Sequence, residues 1–476
     1  HTNDGTERFR IDSSGNVKIG TAATISPDGD LFVTGVCTAT TLSGAASGLT
    51  GALPAIDGSA LTGIAATDNV RTGILDVAGV STFRNTMNVG AAVTISESGI
   101  EASGIGITVA NINGGAIGGR RNLILNGAMN IAQRGTSSTS TGYQTVDRFE
   151  PGWANLSTGG NVTISQQSLS SGSPYDEGFR KFLRMALPAA GTAAANSYAE
   201  AVIHRFEAQH IANSGWNYAS SSSFVTLSFW FRASTNQTFY GLLRSEDGTS
   251  RSFSFPFTAT GNDTWTKITK TIPGASGITV DNDNGRGFSL FLIPFYGTNY
   301  TTSGHTSNAW QTYSSSDIVP DMADTWLTAG ASTFDVTGLQ MEVGSQATAF
   351  EHLSIGEDLN LCKRYYQQYV NIAAVGYVPD NSSRSYTHAI IFPVEFRTAP
   401  TMTIANTGSS GSTYGQYVSD GDGTSHISSL LSTGSKSTHI TASFNLTQDL
   451  TNFRGAYLQS QSNTSYQTTY YFTAEI

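Results

Sequence analysis

The chain has 476 residues, a formal net charge of −10 and only 13% Asp, Glu, Lys and Arg. That length exceeds what one hydrophobic core holds, and the negative balance argues against nucleic acid or an anionic membrane as a partner. Gly, Ser, Thr and Asn recur throughout, yet 10% of the residues are aromatic and apolar residues alternate in short runs, which points to an ordered all-β protein rather than a disordered one.

No apolar run approaches the roughly 18–20 residues of a bilayer span, so no membrane insertion is expected. A chain starting at His1 without a Met or signal peptide reads as an internal stretch of a longer product. Cys37 and Cys362 lie far apart and lack His or Cys partners at metal-binding spacing. They read as small buried apolar residues; no disulfide framework, metal or cofactor is expected.

Residues 1–118 read as a β-rich shaft. Glu7–Asp12 and Ser13–Gly20 give two alternating runs around a Ser-Gly-Asn turn. Irregular echoes follow: Leu31–Thr38 with Leu75–Thr82, Thr24-Ile25-Ser26 with Thr94-Ile95-Ser96, and Ser47–Gly51 with Ala60–Gly63. Strands of four or five residues with one apolar face cannot bury that face alone. Three copies wound about one axis can, so the reading is an intertwined homotrimer; the alternative is a flexible Gly/Ala/Ser linker, which would lack the alternating Val and Ile. The Gly pairs at 114–115 and 118–119 mark the boundary.

Residues 119–353 read as a β-sandwich. Leu123–Leu125 is a short β run ending at Asn126-Gly127, and Met129–Gln133 is a second. Val225, Leu227, Phe229 and Phe231 share one face of a strand, and Phe288–Phe295 is apolar on both faces, as a doubly covered strand requires. Trp265–Ile272 is polar enough to face solvent. Phe334–Val343 switches apolar phase at Gly338, which predicts a bulge.

A sugar site needs an aromatic platform and polar groups to fix hydroxyls. Trp230, on the otherwise polar face of its strand, is one candidate platform or subunit contact. Tyr296, Tyr300, His305 and Trp310, in or beside the most aromatic loop, form another. Trp153, Trp265 and Trp326 read as packing. Arg121, Arg134, Arg148 and Asp147 read as an ion-pair network. Asp281-Asn-Asp283-Asn-Gly285 departs from a calcium loop by lacking its third ligand before Gly and the distal Glu, so it reads as an acidic hairpin tip.

Residues 354–370 read as a connecting helix: Ser354 and Glu357 form a capping box, and Leu359, Cys362, Tyr366 and Tyr369 follow at helical spacing. Residues 371–476 read as a C-terminal β-sandwich tip domain closed by Tyr470–Ile476. Its Ser/Gly/Thr/Tyr-rich loops suit adaptable binding, with Tyr414, Tyr417, Asp420 and Asp422 in the first loop and Tyr457 and Tyr466 near the second as candidate receptor contacts.

Several of these stretches carry a resemblance. Arg121-Asn-Leu-Ile-Leu-Asn-Gly through Gln133-Arg134-Gly135, with Asp147-Arg148-Phe149 behind it, resembles the opening of a domain in bacteriophage tail fibres. Val225–Ala233 and Phe334–Glu351 resemble the strands of carbohydrate-binding-module-like jelly rolls in such fibres. Leu361–Gln367 resembles their connecting helix, with Lys363 where glutamine is usual, and Phe392–Pro400 resembles a strand of their tip domains. The resemblance implies a virion tail fibre that joins other tail proteins through its N-terminal end and meets a bacterial surface glycan or outer-membrane protein with its distal loops. It also implies that Leu359, Cys362, Tyr366 and Tyr369 of three copies meet on the fibre axis. A tailspike depolymerase would need two carboxylates about 5–9 Å apart across a cleft. The chain shows isolated acids (Asp147, Glu207, Asp324, Glu351 and Asp358) and no Gly-x-Ser-x-Gly. The expectation is an adhesin without catalysis, the alternatives being a depolymerase or a purely mechanical fibre.

Overall fold

The computed structural model describes residues 8–20, 23–34, 87–89, 93–96, 99–102, 120–378, 384–407, 416–419, 424–446, 450, 454–460 and 467–476, some strand residues beyond 383 by backbone alone. It is nearly all β, with short helices only. The chain forms two compact units, His1–Gly104 and Ile105–Ile476.

In the first unit, Arg10–Ile11, Val17–Ile19, Ala23–Ile25 and Leu31–Val33 pair in order as an antiparallel sheet. The expected Ser-Gly-Asn turn is present: the Asp12 carboxylate accepts from the Ser14 and Asn16 amides, each at 3.0 Å. Met87–Val89, Val93–Ser96 and Gly99–Ala102 form a second small sheet. The echoed Thr-Ile pairs thus both lie on an inner strand, Ala23–Ile25 in the first sheet and Val93–Ser96 in the second. Among the described residues 8–34 none is buried; Phe9, Ile11 and Phe32 are 58%, 66% and 60% exposed. Of the echo between Leu31–Thr38 and Leu75–Thr82 only residues 31–34 are described; the remaining echoed stretches, Cys37 and the Gly-pair boundary lie outside the described residues.

In the second unit two sheets face each other. One runs in the order Thr266–Pro273, Phe224–Ala233, Thr333–Val343, Lys181–Ala186, Thr163–Ser168, Ser137–Ser138. The other runs Val202–Glu207, Arg286–Ile293, Phe239–Ser245, Arg251–Phe257, Trp310–Thr312. Between them lies an aromatic core in which Phe231 meets Phe239, Phe257 and Phe334 with ring centroids 4.8–5.3 Å apart. Each such buried ring contributes about 2–3 kcal/mol of transfer free energy. The four alternating residues from Val225 to Phe231 all point into this core, and Phe288 to Ile293 is covered on both faces, as expected, while Arg286 at the start of that strand is exposed. Thr266–Pro273 is the polar edge strand.

The bulge at Gly338 is also where the sequence placed it. Ser228 pairs with Gln340 and Trp230 with Thr337, so Gly338 and Leu339 together oppose Phe229. Phe334 and Val336 before the bulge and Leu339 and Met341 after it all stay buried. Gly338 has φ 64°, and a Cβ there would lie 2.7 Å from the Phe179 ring.

The opening segment departs from expectation. Neither Leu123–Leu125 nor Met129–Gln133 is a strand. Asn126 and Met129 take positive φ, and side chains replace the ladder: Asn126 Nδ2 donates to the Ile131 and Asp147 carbonyls, at 2.8 and 2.9 Å. The segment is a side-chain-stitched strap along Thr333–Val343, held by Leu123 N to Met341 O and Leu339 N to Gly127 O.

The connecting helix spans Ile355–Lys363 with both halves of its capping box formed. It stops sooner than its spacing predicts, because Tyr366–Val370 is a strand paired with Gln467–Thr473. Leu359, Cys362, Tyr366 and Tyr369 therefore do not form one helical stripe. Cys362 and Tyr366 are buried by this chain alone, with the Arg134 guanidinium 3.6 Å above the Tyr366 ring. The rest of the tip is a three-stranded sheet, with Gln467–Thr473 at its centre, beside six strands that close into a barrel.

Tip and sandwich meet through charge. Arg148, almost wholly enclosed, pairs with Glu475, and Arg134 reaches the same carboxylate at 3.1 Å. Arg364 grips Glu207 with two bonds of 3.1 Å, and Tyr365 donates to Glu207. Burial acts to raise the Glu207 pKa, but these bonds outweigh it and leave the group at about 2. The expected Arg134–Arg148–Asp147 network is thus real and intrachain, while Arg121 sits apart, bonded to Glu351 and Ala349.

Candidate ligand cleft

The outer face of the Val202–Glu207 sheet, opposite the core, is lined by side chains that alternate with the buried Phe, Leu and Val of the same strands. Val202 and Phe206 point inward, Ile203 and Arg205 outward; Leu243 points inward, Leu242 and Arg244 outward. The segment from Tyr296 to Ile318 folds over this face, closed on itself by Ile318 N to Tyr300 O at 2.9 Å and packed through Tyr296 and Ile318 against Ile203, Leu242 and Phe291. A cleft of about 360 Å³ remains beneath it, a size suited to a small ligand or one or two sugar rings.

Its walls combine rings and ionisable groups. Tyr296 and Tyr300 lie 5.2 Å apart by ring centroids, and Tyr198 packs edge-on to Tyr300 at 5.9 Å. Glu200, partly open to the cleft, accepts from the Tyr296 hydroxyl. Burial pushes the Glu200 carboxyl up to about 7, against the opposing effects of that hydrogen bond and of Arg205. Arg205 is tied to Glu150 at 2.7 Å. Arg244 lies 3.8 Å over the Tyr313 ring and 3.3 Å from Glu246, which also accepts from Ser289 at 2.7 Å. Flat aromatic faces beside fixed charged donors and acceptors are what a pyranose needs. A second cavity, about 430 Å³ and lined by Arg120, Leu123, Leu125, His210 and Arg364 among others, has no Tyr, Trp or Phe to stack on a sugar.

The structure separates the residues singled out by sequence. Tyr296 and Tyr300 line the cleft. His305 lies beneath the overlying segment, its ring between Ser254 at 2.6 Å and Asp317 at 2.8 Å, and so braces it. Trp310 turns to the core side, packs against Phe253 and donates to the Pro273 carbonyl. Trp230 is no platform: it is buried among Ala128, Phe179 and Phe182, with its Nε1 donating to Glu177 at 3.0 Å. Phe179, brought close by the Gly338 bulge, covers the face that sequence alternation had left polar. Tyr457 lies on the barrel strand Gly455–Ser460 and is 39% exposed. Tyr417 lies on Gln416–Ser419; Tyr414, Asp420, Asp422 and Tyr466 fall outside the described residues. Asp283 of the acidic tip accepts from its own Gly285 amide at 2.8 Å. Among the described residues no cluster of His, Cys, Asp and Glu could hold a metal ion, and no helix is long and apolar enough to cross a membrane.

Sequence reading missed Tyr198, Glu200, Arg205, Arg244, Glu246 and Tyr313. The available signal was the charged residue two places from an apolar one in Ile203-His-Arg205 and Leu242-Leu-Arg244, which puts arginine on the outer face.

No protein-family model matches the chain, and no curated protein sequence matches it. Among solved structures it is similar to the enzymatically active domain of tailspike protein 4 of bacteriophage CBA120, at 10% identity over 47% of this chain, with a TM-score of 0.26. The chain spans 21% of that tailspike domain. It is also similar to a family 11 carbohydrate-binding module from Clostridium thermocellum, at 9% identity over 46% of this chain and 98% of the module, TM-score 0.21. The N-terminal cellulose-binding domain of a Cellulomonas fimi β-1,4-glucanase is similar at 14% identity over 46% of this chain and 99% of that domain, TM-score 0.22.

Proposed function

We propose that the chain is a homotrimeric fibre protein that adheres a bacteriophage to a glycan on the bacterial surface, through the cleft under the Tyr296–Ile318 segment. The observation that carries this reading is the cleft itself, with tyrosine faces beside paired arginines and carboxylates on a rigid sheet. The leading unit supports the trimer: a sheet with no buried residue among the described residues of 8–34 and with Phe9, Ile11 and Phe32 open to water needs neighbouring copies to cover it. The resemblance of Arg121–Phe149 to tail-fibre domains supports a place in the virion tail. Three sites per fibre add avidity, so individually weak sites suffice.

The test is binding of the intact protein to host cells and to isolated surface polysaccharide. Saturable binding that Tyr300→Ala weakens about tenfold, the worth of one stacked ring, is expected. Binding untouched by that change, or none at all, refutes the cleft as the adhesive site. A second reading rests on Glu200 and Glu246 sharing the cleft while burial keeps Glu200 protonated to about 7, as a general acid in glycoside hydrolysis requires. New reducing ends in the same assay would favour it.

A further inference from the structure

Three arginines enter the cleft from three adjacent strands of a protein whose net charge is −10. Arg205 and Arg244 both pair with Ser289 of the strand between them, from opposite sides, so they stand two strand spacings apart, roughly 10 Å. Each already has a counter-charge, Glu150 for Arg205 and Glu246 for Arg244. Arg286, on the central strand, is different. It is exposed, lines the cleft, and its side chain has no hydrogen-bond or ion-pair partner among the described residues. The remaining carboxyl of the cleft, Glu200, is engaged by Tyr296 rather than by an ion pair, and burial keeps it protonated up to about 7. After pairing, one guanidinium is therefore left over in the cleft that the tyrosines also line.

A neutral sugar gives such a group only weak hydroxyl acceptors, whereas a carboxylate gives it two parallel charge-assisted bonds. We propose that the cleft selects acidic glycans, with Arg286 receiving the carboxylate of a uronic-type or other acidic sugar while the tyrosines hold its ring. This deepens the adhesion reading and rests on it.

The experiment uses the full chain on an array of bacterial surface oligosaccharides in which every acidic member is duplicated as its methyl ester. The expected result is binding to acidic members at least tenfold tighter than to their esters, with Arg286→Gln removing most of that ratio. Arg286→Lys should restore part of the preference, because charge returns without the two-pronged geometry. Equal binding of acids and esters, preference for neutral members, or a ratio unmoved by Arg286→Gln overturns the proposal. In those cases binding that Tyr300→Ala weakens leaves the cleft as an adhesive site for neutral sugars. Binding to no member takes both readings down together.

Discussion

Glu475→Gln should loosen the whole second unit. The Arg148 guanidinium it serves is 1% exposed, and its Nε has no hydrogen-bond partner. After the change Arg148 keeps one bond, Nη2 to the Arg205 carbonyl at 2.8 Å, and the Tyr365 ring 3.5 Å away. Removing one partner of a buried ion pair costs about 3–5 kcal/mol, because the other charge stays buried without compensation. The ring and the amide oxygen of the new glutamine recover part of that, so about 3 kcal/mol is the expected loss. At about 2–4 °C per kcal/mol for domains of 150–250 residues, Tm falls by about 6–12 °C. Calorimetry of the intact assembly at neutral pH reads this directly. A paired change, Arg148→Met with Glu475→Leu, should recover most of the loss, since neither charge then needs hydration. A Tm within about 2 °C of the parent for Glu475→Gln, or a double variant no better than the single one, would refute the reasoning.

Other outcomes follow from the same structure. Gly338→Ala should lose about 2 kcal/mol in urea unfolding, from a positive φ and the Phe179 ring its Cβ would strike; an unchanged midpoint would mean that the bulge relaxes freely. Glu200 has its folded pKa raised from 4.5 to about 7, so its contribution to stability is full below about 4.5 and is lost as pH rises through 7. Glu200→Gln should then gain on the parent by about 2 kcal/mol between pH 5 and 8, and a constant gap in Tm across that range contradicts the shift. Glu207 runs the other way. Its pKa of about 2 means stability that is present above 4.5 and lost as pH falls toward 2. Glu207→Gln should destabilise at neutral pH and narrow its deficit in acid; parallel melting curves for the two proteins would rule this out.

Where the sequence pattern was strict it told the truth about structure. The alternation in Val225–Phe231 and the phase change at Gly338 follow from a period of two that only one core face satisfies, and the capping box at Ser354 follows from helix-end chemistry. The pattern misled where side chains took over the work of the backbone. Asn122 and Asn126 stitch the opening strap with their amides, so its alternation never became a strand. The helical spacing of Leu359 to Tyr369 was broken at Lys363, because Tyr366–Val370 had a strand partner about a hundred residues away, in Gln467–Thr473, which no local period reports. Trp230 looked exposed because alternation cannot see Phe179 arriving from another loop. The cleft was legible only in part: Tyr296 and Tyr300 stood out as aromatics in a loop. Glu200, Arg205 and Arg244 come from strands whose adjacency is a property of topology, not of spacing.

Among the described residues, the seam between sandwich and tip is fastened mostly by arginine, glutamate and tyrosine, with a small apolar contact among Leu125, Tyr365 and Ile476. Before docking, each half can show water a face that water solvates well. A half-made molecule is thus less prone to clump with its siblings than one joined by a greasy contact, and the two halves can mature one after the other. The cost falls on the finished state, in which a single lost charge is felt on both sides of the joint.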